Sequence, residues 1–294
     1  DGPSIAANLV QADQLLPLDS YAQSLGWDEH LLPWATAVSK VGGRLYSIPG
    51  ELETLVVYYN KDLFAKNGWT VPTTIDQFTA LAQQVDAAGV IPFAHVNAEF
   101  PGADAWFVSE FLSHVAGPSA VRAALNGTGP WTADGMVEAI SLLDTYQQNG
   151  WFMGGLDKYY TTTFAAAHEA LATGAAAMDL DGTWFLGDIK AAFEASGQDV
   201  GWFAMPSTDG TTILDLSIGT SLSINKNSAH PDAAAEFVTW LLSPAGQYQL
   251  AQTGTVPHPV PADQHVMSAL DPMLGEILSE LADLSAKQGQ FGYT

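Results

Sequence analysis

Cysteine is absent from the 294 residues, which removes disulfides, thiolate nucleophiles and Cys-ligated metals from consideration. Basic residues are scarce: nine Lys and Arg stand against 32 Asp and Glu, a formal charge of −23. A surface of that sign repels phosphate backbones and anionic lipid, so nucleic acid is not an expected partner. No uninterrupted apolar run approaches the roughly 20 residues that span a bilayer. No charged leader followed by an apolar stretch opens the chain, which is expected to be soluble with any export signal removed. The seven His lack metal-protease spacing, because Ala172 stands where the second ligand after His168-Glu169 would sit, and no GxxxxGK loop is present. Neither a metal nor a cofactor is expected.

What is present is an apolar chain, 47% by count, long enough for one or two domains. Short apolar strands alternate with helical patterns, which predicts an α/β architecture. Leu55-Val56-Val57-Tyr58-Tyr59 fits a strand buried on both faces, and Asn60-Lys61-Asp62 opens a short helix that stops at Asn67-Gly68. Thr74-Ile75-Asp76-Gln77 is a capping box ahead of Phe78, Leu81 and Val85, with Gly89 as the stop. Helices are predicted over Met136–Gln148 and Phe164–Thr173, the second ending at Gly174. The sequence AAAMDL then turns into a strand with Asp181-Gly182-Thr183-Trp184 at its C-terminal end, where α/β strands present residues to ligands. Ile218–Ile224 reads as a strand. Pro231 opens a helix whose face carries Phe237, Val238, Leu241 and Leu242, and Ser243-Pro244 caps the next. Trp27, Trp69, Trp202 and Trp240 read as packing residues.

Five segments, in order, carry a resemblance. They are GGRLYSIP (42–49), YYNKDLF (58–64), GWTVPTTIDQF (68–78), FAAAHEALATGAAAMDLDGTWF (164–185) and SIGTSLSINKNSAHPDAAAEFVTWLLSPAGQ (217–247). Together they resemble the solute-binding proteins of ABC importers, specifically the carbohydrate-binding, maltose-binding-protein-like group. Ile75 and Gln77 depart from that group's usual Trp and Glu. The resemblance implies a periplasmic-binding-protein fold: two α/β lobes joined by a hinge, with a ligand cleft between them. It divides the chain into a first lobe of 1–49 and 214–256, lacking its N-terminal strands, and a second of 50–213 and 257–294, with its last helices incomplete. It also implies a monomer outside the cytoplasm, held to the outer membrane face by an absent lipid-modified segment, with permease subunits as partners.

The same resemblance places ligand contacts. Glu53 matches a sugar-bonding Glu, Asp181 a polar site residue beside Gly182, and Trp184 the Trp that stacks on a pyranose. Glu99, Phe100 and Trp106 fall where a second acidic and aromatic cluster is expected. Ser217 and Gly219 lie at the return crossing, and Asp1 corresponds to an acidic residue of the first lobe. Glu51 is a further candidate, with an equal claim as a solvated turn residue. Rings and carboxylates suit a pyranose, whose apolar C–H face packs on Trp while its hydroxyl rim donates to charged acceptors.

Three functions fit these residues. The leading one is an oligosaccharide receptor without catalytic activity. The second is a secreted glycoside hydrolase using two of Glu53, Glu99 and Asp181 as paired carboxylates. The third keeps the receptor fold and changes the solute to a non-sugar ligand, since acids and rings also suit cations.

Overall fold

A computed structural model describes residues 3–100, 102–254, 258, 263–285 and 291–293. The chain divides into two compact units, the first formed by Asp1–Glu53 and Ser217–Ser279, the second by Thr54–Leu216 and Glu280–Thr294.

The second unit is built on a four-stranded sheet in the order Ile91–Phe93, Ala176–Gly182, Leu55–Asn60, Val200–Phe203. Leu55–Asn60 runs antiparallel to both its neighbours, and Ile91–Phe93 runs parallel to Ala176–Gly182. Every residue of Ala176–Gly182 is buried, as expected of a central strand covered on both faces. Asn60 ends one strand and caps the helix Lys61–Asn67, its side chain accepting the Leu63 N–H at 2.9 Å, and Gly68 closes that helix at φ 69. These are the start and stop signals read from the sequence.

Helix Ile75–Ala87 starts at Thr74, whose hydroxyl accepts from the Gln77 N–H. Gln77 reaches back one residue further than a regular capping box, accepting from the Thr73 N–H at 2.9 Å. Phe78, Phe93, Phe107, Phe111, Tyr146 and Trp151 fill the core behind the sheet, with Phe93 stacked on Tyr146 at 5.6 Å. Rings of this size bury much apolar surface per residue, which offsets the ordering of a Gly-rich chain.

The first unit packs Leu18, Trp27, Leu31, Leu45, Ile48, Ile224, Val238 and Leu242 into a core of its own. Trp27 is fully buried and donates its indole N–H to the Thr239 hydroxyl at 2.8 Å, so its polar handle is satisfied. Helix Pro231–Leu242 has Pro at its first position, and Ser243 caps Pro244–Gln252 through the Gly246 N–H.

Three sequence expectations are corrected. The strand expected over Ile218–Ile224 is two pieces, Leu214–Ile218 and Ser221–Leu222, because Gly219-Thr220 breaks the run. Phe237 and Trp240 are not core residues: they are 57% and 45% exposed and stack on each other at 5.9 Å, while Val238, Leu241 and Leu242 take the buried face. The unit boundaries fall at 53/54, 216/217 and 279/280. Of the described residues assigned from sequence to the second lobe, 258 and 263–279 cluster with the first unit instead. His258 explains part of this, since its N–H donates to Gln247 at 3.0 Å and its ring Nδ1 lies 3.1 Å from the Pro49 carbonyl. Among the described residues no helix is long and apolar enough to cross a membrane.

Candidate functional site

In the second unit, strand Ala176–Gly182 ends in a tight turn, Thr183–Phe185, that positions Trp184. Two hydrogen bonds fix this turn: the Thr183 N–H donates to the Thr54 carbonyl at 3.0 Å, and the Thr54 N–H donates to the Thr183 hydroxyl at 3.3 Å. The indole of Trp184 folds back over the α-carbon of Gly182, leaving no room there for a side chain. Glycine is therefore required at 182 by close approach rather than by backbone twist, since its φ is −86.

Trp184 is half-buried and meets Trp106 edge-on, with centroids 4.9 Å apart. Trp106 projects from helix Ala103–Phe111 and is flanked by Phe100 at 5.6 Å and by Phe164, stacked at 6.3 Å. Phe164 in turn packs on Phe185 at 4.9 Å. Trp184, from one predicted group, and Trp106 and Phe100, from another, thus converge in one half-exposed aromatic cluster. Phe164 and Phe185 belong to it and were missed. Their signal was adjacency: Phe185 follows Trp184 directly, and Phe164 opens the predicted helix.

Glu99 sits beside this cluster in a supporting position. Its Oε2 accepts the Phe164 N–H at 2.8 Å, at the start of helix Phe164–Thr173, where a carboxylate also complements the helix dipole. Asp181 is buried: Oδ1 accepts the Gly182 N–H at 2.7 Å, and Oδ2 lies 3.2 Å from His168 Nε2. Asp179 stands two residues earlier on the same strand face, and burial, with the Asp181 charge added, pushes its carboxyl well above the usual range. Burial opposes protonation of His168, but the Asp181 bond and the neighbouring carboxylates outweigh it and raise the imidazole.

The first unit holds the other predicted group. Glu53 is 6% exposed at the end of the short strand Leu52–Glu53, opposite Ser217 in antiparallel register. Its carboxyl lies against the α-carbon of Gly219, which again excludes a side chain. Glu51 accepts the Gly219 N–H on its carbonyl at 3.1 Å and donates its own N–H to the Thr220 hydroxyl at 3.2 Å. Burial first, then the Glu51 charge and a side-chain hydrogen bond with Glu51, push the Glu53 carboxyl up to about 8. At neutral pH Glu53 is thus mostly a protonated acid able to donate. Asp1 lies outside the described residues.

Two features had no counterpart in the sequence reading. A cavity of about 330 Å³ opens in the second unit between His95, Asp104, Phe107, Phe152 and Tyr159, and its lining includes no residue predicted as a ligand contact. Among the described residues of this unit, buried His and carboxylate side chains also gather twice, as Glu110, His114 and Asp215 and as His168, Asp179 and Asp181. The i,i+4 spacing of Glu110 and His114 was the readable signal for the first.

The model of a family described as bacterial extracellular solute-binding protein matches residues 1–248. A probable sugar-binding periplasmic protein of Mesorhizobium japonicum is 29% identical over 204 residues, 67% of this chain and 46% of that protein. A multiple sugar-binding protein of Streptococcus mutans is 26% identical over 212 residues, 69% of this chain and 48% of that protein. The chain therefore spans about half the length of the curated relatives it matches. Among solved structures, a chitin oligosaccharide binding protein superposes with a TM-score of 0.76 at 21% identity, covering 94% of this chain and 69% of that one. At that identity the likeness concerns the fold.

Proposed function

The chain belongs to the bacterial extracellular solute-binding protein family, and from that premise we propose that it is part of a carbohydrate receptor that passes an oligosaccharide to an ABC importer. The observation that carries this reading is the aromatic cluster around Trp184 and Trp106, held half-exposed by a glycine and a doubly bonded turn. Flat rings kept in place before ligand arrives lose little entropy on binding, and they accept the C–H face of a pyranose. Relatives named for sugars, for chitin oligosaccharide among the structures, support the same ligand class.

The carboxylates support a receptor over a hydrolase. Glu99 is committed to the Phe164 N–H, and Asp181 to Gly182 and His168. Groups so engaged hold rings and backbone in position. Retaining and inverting hydrolases instead aim two carboxyls, about 5–9.5 Å apart, at the scissile bond. Glu53 and Glu51 contribute a donor–acceptor pair for hydroxyls in the first unit. Permease partners, residence outside the cytoplasm and anchorage at the outer membrane face belong to the same proposal.

A thermal-shift screen over mono- and oligosaccharides tests it, paired with product analysis. A ligand at 100 times its dissociation constant adds about 2.7 kcal/mol of stability. Stabilisation by an oligosaccharide recovered intact is the expected result; cleaved products or no response to any sugar would contradict it.

A further inference from the structure

Glu110 and His114 follow Trp106 along the chain, but with Asp215 they take no part in the sugar reading. They are 1%, 2% and 0% exposed. Glu110 lies on helix Ala103–Phe111, and His114 lies in the π-helical turn Leu112–Ala116 that continues it. The wider turn is a rare conformation that recurs at functional positions. Asp215 comes from strand Leu214–Ile218 and so meets them from a distant part of the chain.

The three side chains each offer one ligand atom, and these atoms all lie within 4.8 Å of one another. His114 Nε2 and Glu110 Oε2 are 3.2 Å apart, near the ~3.4 Å edge of a tetrahedron with metal bonds of about 2.0–2.2 Å. No hydrogen bond of normal length and angle ends on Glu110 Oε1, on either ring nitrogen of His114 or on either oxygen of Asp215.

Two carboxyl groups and an imidazole this deeply buried, with so many polar atoms lacking a hydrogen bond of normal geometry, form an expensive arrangement unless a positive charge is shared among them. We propose that Glu110, His114 and Asp215 hold one divalent transition-metal ion, with zinc the best match to one nitrogen and two oxygen ligands. The second cluster is the poorer host. Asp181 already accepts from Gly182 and pairs with His168, so fewer lone pairs remain there.

The test is metal content after growth in zinc-supplemented medium and gel filtration with a chelator present. About one zinc per chain is expected in the wild-type protein and in His168→Gln, falling at least fivefold in His114→Gln and Asp215→Asn. Cobalt loaded in place of zinc should give d–d absorption bands in the first two and not in the others. Zinc-free wild-type protein would overturn the proposal, as would loss of zinc in His168→Gln. If His114→Gln or Asp215→Asn fails to fold, the wild-type and His168→Gln measurements decide alone, because zinc held at the other cluster would vanish in His168→Gln.

Discussion

The indole of Trp184 lies over the α-carbon of Gly182, so that a methyl group at 182 would run into ring atoms Cε3, Cζ2 and Cη2. Strand end and indole ring are thereby coupled: the backbone supplies the surface on which the ring rests. Gly182→Ala should push the ring out of place while the strand survives, since φ at this position suits any residue. Because the ring is half-exposed and can swing, the stability loss should stay near 1 kcal/mol. Oligosaccharide affinity should nonetheless fall about tenfold, equivalent to 1.4 kcal/mol, measured by calorimetry beside a melting curve.

Glu99 separates support from contact. Glu99→Ala removes the acceptor of the Phe164 N–H at a helix start and should cost about 1 kcal/mol of stability, read from denaturant unfolding. Glu99→Gln keeps an acceptor oxygen and should recover most of that loss. If Glu99 only holds Phe164 in place, sugar affinity in Glu99→Gln stays within about threefold of wild type.

Glu53 predicts a pH dependence with a defined sign. Its carboxyl rises from an ordinary 4.5 to about 8 in the folded chain, chiefly by burial. The folded state therefore favours the protonated acid. The stability this provides is fully present below pH 4.5 and is lost as pH climbs through 8. Unfolding free energy should decline between pH 5 and pH 8 in the wild type, with Glu53 responsible for about 1–3 kcal/mol of the decline. Glu53→Gln should flatten the profile by that amount, and an unchanged profile would remove Glu53 from the account.

Much of the fold was legible because its signals are local. Gly174 ends helix Phe164–Thr173 as the sequence predicts, and Asn60 and Gly68 bracket Lys61–Asn67. What failed depends on partners distant in sequence. Whether Trp240 or Trp27 is core depends on which helix face meets the first unit's core, and only Trp27 finds a partner in Thr239. At Gly219 the Glu53 carboxyl occupies the space a side chain would need, which no periodicity in residues 218–224 reveals.

The aromatic cluster was legible in part. Trp184, Trp106 and Phe100 were identified through resemblance, but their union through Phe164 and Phe185 requires a sheet, a helix and a loop to meet. The pairing of Asp181 with His168 was hidden for the same reason: 13 residues separate them, and the turn at Gly174 brings them to 3.2 Å.

The central claim is that a preformed aromatic surface at Trp184 binds sugar. Calorimetric titration of the Trp184→Ala variant with the oligosaccharide that most stabilises the wild type tests it most directly. The account predicts an affinity loss of about 1–3 kcal/mol, roughly tenfold or more, with the melting transition of the unliganded protein little changed. Wild-type affinity in a folded Trp184→Ala protein would contradict it.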